Sequence, residues 1–281
     1  MCPALLRVAV AEPNIQGFEW QIFIYTSPIF LKNLLSEFLV RRRTVRIDKL
    51  LSDMGVATRK EAKDAARRGG VTVDGVPVKD LSRHIDPEHS RVAYLGRTVE
   101  YRPYTYIMLN KPEGYVSATE DARLPVVTEL LGDEYRLIEL FPVGRLDKDT
   151  TGLMLLTNDG KLAHTLLSPK HHVKKVYFFT AAEPLARGVE EHFLRGVTLR
   201  DGYECKPAVI ELNEDRLSGY ITLTEGKYHQ IKRMIASTGN RVTSLRRVRF
   251  ADIALDPTLA PGGYRPLSDA EIASLNEAAK Q

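Results

Sequence analysis

The stretch Gly144-Arg145-Leu146-Asp147-Lys148-Asp149-Thr150-Thr151-Gly152 sets two carboxylates, two hydroxyls and two glycines between apolar runs. Asp147 therefore falls where an apolar strand gives way to a turn. A lone carboxylate among basic and aromatic residues can serve as a nucleophile or handle protons. The same spacing has an ordinary structural use, in which an aspartate bonds the turn amides near Thr150, and Asp149 sits closer to the Thr-Thr-Gly turn for that purpose. Arg145, two residues before Asp147, shares its side of an extended strand. Further on, EGKYHQIKRM places Lys232 and Arg233 on a helix that starts near Lys227 and buries Ile231, Met234 and Ile235. A cation at the edge of that buried side can pair with an aspartate and hold it ionised, or it can simply face solvent. Tyr177 alternates with Val176 and Phe178 in KKVYFF, a pattern that also suits a core tyrosine.

Several other chemistries lack their residues. There is no Walker-type phosphate loop, no Gly-rich dinucleotide turn and no Gly-x-Ser-x-Gly elbow. His171 and His172 are adjacent, so they do not share a helix face as metal ligands. The two cysteines, Cys2 and Cys205, have neither disulfide nor zinc spacing, a usage that fits the cytoplasm. No apolar run approaches the length of a membrane span, and no signal peptide is visible. An enzyme built on these residues is expected to need no cofactor and no metal, and to have no membrane partner.

The elements that must position these groups fall into three parts. Residues 1–44 contain the only tryptophan, Trp20, and an amphipathic stretch, PIFLKNLLSEFLVRRR, readable as an ordinary or an interfacial helix. Because Val45 precedes what reads as the opening of a compact domain, the expectation is that translation starts there and residues 1–44 are absent from the native product. Residues 45–101 form a small α/β module. RIDKLLSDMG is a short helix stopped by Gly55. Thr58 and Glu61 make a capping box for a second helix, and Asp74-Gly75 turns a hairpin. The second helix carries Arg59, Lys63 and Arg67 on one face, with Lys60 and Arg68 beside them. Residues 102–281 interleave strands and helices irregularly with hairpins, which predicts an α+β domain around a mixed, mainly antiparallel sheet. Strands are expected in YIMLNK, RLIELFPVGRLD, GLMLLT, KKVYFFTAA, 206–212, 217–224 and RVTSLRRVRFADIAL. Helices are expected in PVVTELL, KLAHTLL, PLARGVEEHFLRG, KYHQIKRMIAS and after Ser268.

Charge supports a polyanion partner. Net charge is +4, with 12 basic against 9 acidic residues in 46–104 and 23 against 24 in 105–281. Two stretches of the larger part, Lys161–Ala182 and Lys227–Ala251, contain no acid at all. The second holds Lys227, Lys232, Arg233, Arg241, Arg246, Arg247 and Arg249, all candidates for phosphate contacts.

Two resemblances sharpen this reading. RIDKLLSDMGVATRKEAKDAARRGGVTVDGVPV resembles the αL-type RNA-binding domain shared by a small-subunit ribosomal protein, tyrosyl-tRNA synthetases and several RNA-modifying enzymes. Behind it, GRLDKDTTGLMLLTNDG, KKVYFFT, EGKYHQIKRM and VTSLRRVRF occur in an order that resembles the RNA pseudouridine synthases, in the small-subunit pseudouridine synthase A branch. NKPEGY and PGGYRPL add to the likeness, which runs from Arg46 to Ile272. The resemblance implies a pseudouridine synthase catalytic domain that isomerises uridine in ribosomal RNA. The implied partner is small-subunit RNA in an assembling particle, with the enzyme a cytoplasmic monomer; the alternatives are the same reaction on large-subunit RNA and a catalytically idle RNA-binding assembly factor. It implies that Asp147 is the catalytic aspartate, Tyr177 the active-site tyrosine and Lys232 the basic partner, an arginine in some other branches. Arg145 is then the residue that helps displace the base, and Leu245 packs near it. Arg59, Lys60, Lys63, Arg67 and Arg68 would bind RNA.

Overall fold

The computed structural model describes residues 44–280. The readings made for residues 1–43 lie outside that range. The small module opens with β1 (Val45–Arg46), α1 (Ile47–Asp53) and α2 (Arg59–Arg67). Then come β2 (Val71–Val73), β3 (Val76–Pro77), β4 (His84–Ile85), β5 (Val92–Tyr94) and β6 (Arg97–Val99). Both limbs of the Thr58/Glu61 capping box form, so α2 starts where the sequence places it. The hairpin turns at Asp74 and Gly75, both with positive φ, as a two-residue turn between right-twisted strands requires. Ile47, Leu50, Leu51, Ala62, Ala65, Ala66, Val71 and Val92 close a separate small core under the two helices.

The larger part begins with β7 (Tyr106–Lys111), β8 (Phe141–Pro142), β9 (Thr151–Thr157), α3 (Gly160–Leu167) and β10 (Lys175–Ala181). It continues through α4 (Val189–Arg195), β11 (Val209–Leu212), β12 (Ser218–Leu223) and α5 (Gln230–Ser237). It ends with β13 (Val242–Phe250), β14 (Ile253–Ala254), β15 (Tyr264–Pro266) and α6 (Asp269–Ala278). One sheet holds β11-β12-β10-β13-β9-β7-β15 in that order, with β14 on β13 and β8 on β9. Every pairing in it is antiparallel except β13 with β9, where Arg246 and Arg247 align with Thr151 and Gly152. The sheet is thus mixed and mainly antiparallel, the expected class.

The apolar pattern of each strand shows which faces are covered. In β7 and β9 neighbouring residues are buried alternately on opposite faces. Leu109, Met154 and Leu156 enter one core with α4 and α5, while Met108, Leu153 and Leu155 enter the other with α3 and α6. That explains the unbroken run GLMLLT, which a strand covered on both faces needs. β10 and β12 alternate buried with partly or fully exposed residues, because only one of their faces is packed.

Several elements are shorter than expected: PVVTELL holds only a 3-10 turn at Val127–Leu130, the helix read from near Lys227 starts at Gln230 after left-handed His229, and RVTSLRRVRFADIAL breaks at left-handed Ala251 into β13 and β14. Two more are cut back at a proline and a glycine. The strand read in RLIELFPVGRLD shrinks to Phe141–Pro142, because Pro142 has no N–H for the ladder and a 3-10 turn at Asp133–Tyr135 precedes it. The helix read in PLARGVEEHFLRG starts only at Val189, because Gly188 is left-handed (φ +85).

Gly152 fixes the start of β9, directly after the Asp147 loop. Its φ is +99, and a Cβ there would collide with the Arg247 carbonyl of β13. Gly152→Ala is therefore expected to lose on the order of 3 kcal/mol of stability in urea unfolding. An unchanged midpoint would show that the β9–β13 junction is not closely packed.

Candidate active site

The loop that carries Asp147 is held by its carbonyls. Lys111, at the end of β7, has no exposed surface. Its Nζ donates to the carbonyls of Pro112 (3.1 Å), Asp147 (3.1 Å), Lys148 (3.3 Å) and Thr150 (2.8 Å). Burial pushes the Lys111 pKa down to about 8, against the pull of Asp149, Asp147 and Glu113. Gly114 N–H adds a bond to the Lys148 carbonyl and Thr150 N–H one to that of Asp147. Ser117 Oγ donates to the Leu146 carbonyl and accepts from its N–H. Four neighbouring peptide units are thereby fixed, and the Asp147 side chain projects from a backbone that cannot drift.

That side chain, 29 % exposed, meets α5. Lys232 Nζ lies 3.3 Å from Asp147 Oδ2, and His229 Nε2 is 3.7 Å from the same oxygen. Lys232 also pairs with Asp149 Oδ1 at 2.5 Å. One ammonium thus serves two carboxylates. Burial pulls the Lys232 pKa down, but Asp149 and Asp147 together hold it above its ordinary value. Asp149 feels burial upward and the Lys232 ammonium downward, and ends below the usual carboxylate range. Sequence reasoning left Asp149 as a turn-former; its carboxylate instead shares the cation of Asp147.

The facing wall comes from β10 and β13. Tyr177 and Arg247 are cross-strand partners. The Arg247 guanidinium is buried. Its Nε donates to the Leu153 carbonyl at 2.7 Å, and its face lies 5.3 Å from the Phe250 ring. Burial lowers its pKa and the tyrosine partly offsets that. Arg247, read from sequence as a phosphate contact, is thus an internal strut, because it occupies an inward position of β13. Its neighbours Arg246 and Arg249 point outward and are exposed. Leu245, also inward, is buried beside Phe179.

A cleft of about 710 Å³ opens between these walls, lined by Arg145, Asp147, Tyr177, Lys232's neighbour Ile231, Leu245 and Arg247 among others. That volume lies in the range of small-molecule sites. Asp147, Tyr177, Arg145 and Leu245, far apart in sequence, are thus brought to one cavity, with Lys232 reaching Asp147 from α5. Arg145 is exposed on the rim, in irregular chain rather than in a strand. Its ordinary exposure leaves the guanidinium available at the mouth. Arg59, Lys60, Lys63, Arg67 and Arg68 lie on the small module, all exposed, with Arg67 paired to Asp64 at 3.2 Å. Sequence reasoning missed Lys111 and His229. The signal for Lys111 was a cation ending an apolar strand just before a proline. Nothing local marked His229. Among the described residues no three His, Cys, Asp or Glu side chains are grouped to hold a metal ion, and no helix is long and apolar enough to cross a membrane.

Comparisons with known proteins identify the families of the two parts. Residues 105–237 match the family described as RNA pseudouridylate synthase, and residues 45–90 match the S4 domain. An uncharacterised RNA pseudouridine synthase of Bacillus subtilis (strain 168) is 46% identical over 83% of this chain and 99% of its own length. The ribosomal small subunit pseudouridine synthase A of Escherichia coli (strain K12) is 44% identical over 82% of this chain and all of its own. A crystal structure of a pseudouridylate synthase superposes with a TM-score of 0.58 at 36% identity, over 82% of this chain and 99% of that one.

Lys111→Met removes the ammonium and leaves the carbonyls it served without that donor. The expected loss is on the order of 3 kcal/mol in urea unfolding, well beyond that of a surface lysine such as Lys60→Met. Equal midpoints for the two variants would refute the carbonyl cage.

Proposed function

The chain belongs to the RNA pseudouridine synthases, and we propose that it converts a specific uridine of small-subunit (16S) ribosomal RNA to pseudouridine, acting as a cytoplasmic monomer on an assembling particle. The observation that carries the reaction is the Asp147 carboxylate, held at the cleft by the Lys111 cage and paired with Lys232 across from Tyr177. The substrate assignment draws on the small-subunit synthases, whose names state that specificity and whose full length this chain matches.

In this reading residues 45–101 bind RNA and residues 102–281 carry the reaction. The five basic side chains around α2 meet phosphates, which helps offset the few kcal/mol needed to extrude the target base. Arg145 at the rim enters the space that base leaves, and Leu245 packs against the base inside. Asp147 acts as the nucleophile: its carboxylate oxygen bonds ribose C1′ as the C1′–N1 bond breaks, the base turns, and the oxygen–C1′ bond breaks as C5 bonds C1′ and returns the free carboxylate. N1 gains a proton and C5 loses one, so nothing is oxidised and no water is consumed. Lys232 keeps a positive charge 3.3 Å from the Asp147 carboxylate. Lysine provides a point charge where an arginine would provide a planar fork, and a point charge can serve Asp147 and Asp149 at once. Tyr177, the cross-strand partner of Arg247 in the cleft wall, presents its ring to the base.

The reaction is tested by incubating the protein with unmodified small-subunit and large-subunit ribosomal RNA, free and in partly assembled particles, and mapping pseudouridine at nucleotide resolution. One new site in small-subunit RNA, absent with Asp147→Asn, is expected. A site only in large-subunit RNA would overturn the substrate assignment, and no site in any form would favour an idle RNA-binding protein. Lys232→Ala is expected to lower kcat far more than it weakens RNA binding, whereas equal losses would make Lys232 a phosphate contact. Deleting residues 46–100 should weaken RNA binding by tenfold or more while the remainder still unfolds cooperatively. Unchanged affinity would refute the role given to the small module.

A further inference from the structure

Tyr228 is the most exposed large hydrophobic side chain among the described residues, with 76 % of its surface open. It does not project loosely. Its ring stacks on His229, with centroids 3.8 Å apart and planes at 17°. The His229 ring in turn reaches toward Asp147, Nε2 to Oδ2 being 3.7 Å. Both residues line the cleft. The order from the reacting carboxylate outward is therefore Asp147, the imidazole, the phenol ring and open space.

The backbone beneath this stack is fixed. His229 is left-handed (φ 49, ψ 33), a conformation that non-glycine residues adopt only when their surroundings impose it. The imposing groups are Gln230 and Glu225, both buried. Gln230 accepts from Lys227 N–H at 2.9 Å and donates to Glu225 at 2.7 Å. Glu225 also accepts from the Tyr203 hydroxyl and from Lys206 N–H. Arg233 donates to the Tyr228 carbonyl at 3.4 Å. A buried polar network thus holds an aromatic face toward the cleft mouth, where it covers nothing of the protein.

The geometry points to Tyr228, backed by His229, as a stacking platform for the nucleobase next to the target uridine. This rests on the RNA reading proposed above. When the target base leaves its stack, the neighbours on both sides lose a partner; Arg145 fills the gap against one, and the flat aromatic ring at the mouth meets the other. Every base has a π-face, so the platform accepts any neighbour. Phosphates of the same strand meet Lys206, which lines the same cleft, and the exposed Lys227. Stacking differs from those contacts in one measurable respect, since it is not screened by salt whereas they release counterions.

The test uses the full chain and two nine-nucleotide single-stranded RNAs. Each has one uridine among cytidines, with 2-aminopurine on the 5′ side of that uridine in one and on the 3′ side in the other. Wild type and Tyr228→Phe are expected to quench the 2-aminopurine of one RNA on binding, while Tyr228→Ala does not. Tyr228→Ala should also bind on the order of tenfold more weakly, with the same slope of affinity against salt. Equal quenching by wild type and Tyr228→Ala, quenching in neither RNA, or a shallower salt slope in the alanine variant would each overturn the platform. Pseudouridine is mapped in small-subunit RNA with the same three proteins. Tyr228-dependent quenching without any pseudouridine would overturn the reaction and leave the platform standing. Pseudouridine formed by Tyr228→Ala at an unchanged KM would overturn the platform alone.

Discussion

The site depends on one buried ammonium. Lys111 takes the carbonyls of residues 112, 147, 148 and 150 as its acceptors, and so ties the end of β7 to the start of β9 across the loop that carries Asp147. A loop of this kind exposes unsatisfied carbonyls on its inner side, and a backbone with polar groups turned inward folds only if something inside donates to them. A lysine at the end of a strand meets that need with three N–H donors, and the desolvation of its charge is offset by the oxygens around it. Everything downstream follows from the resulting rigidity. Asp147 faces α5 at salt-bridge distance, and Gly152 enters the sheet where β9 meets β13.

Positive charge does two different jobs in this chain, and burial separates them. Lys111 and Arg247 are internal and bond backbone carbonyls. Lys175, in the cleft wall, is pushed down to about 8, by burial and then by Arg247. Arg145, Lys148 and the α2 cluster are exposed and available to a polyanion. Lys232 stands between these groups, 22 % exposed and shared by Asp147 and Asp149. Charge counting along the sequence adds all of them together, so the acid-free stretch Lys227–Ala251 overstates the phosphate-binding surface by at least Arg247.

The parallel contact between β13 and β9 is the other organising feature. It is the one place where the large sheet departs from antiparallel pairing. It brings the segment after Asp147 beside the strand that carries Leu245 and Arg247. The cross-strand pairing of β10 with β13 then adds Tyr177. Three segments separated by dozens of residues therefore share one cavity because of strand order, with no help from local pattern.

The sequence by itself determined what local physics controls. The Thr58/Glu61 and Ser268/Glu271 capping boxes, the Asp74-Gly75 turn and the apolar faces of α1 and α5 are set by side chains within a few residues of one another. The order of the motifs made Asp147, Tyr177 and Lys232 candidates before any geometry was known. Only the tertiary structure decided which lysine meets which carboxylate, that Asp149 shares Lys232, that Arg247 turns inward and that Lys111 holds the loop. These outcomes depend on the register of strands distant in sequence and on desolvation, which depends on everything packed around a charge. The stack of Tyr228 on His229 belongs with them, because the left-handed turn that creates it is imposed by Gln230 and Glu225 through a network that no spacing in the sequence announces.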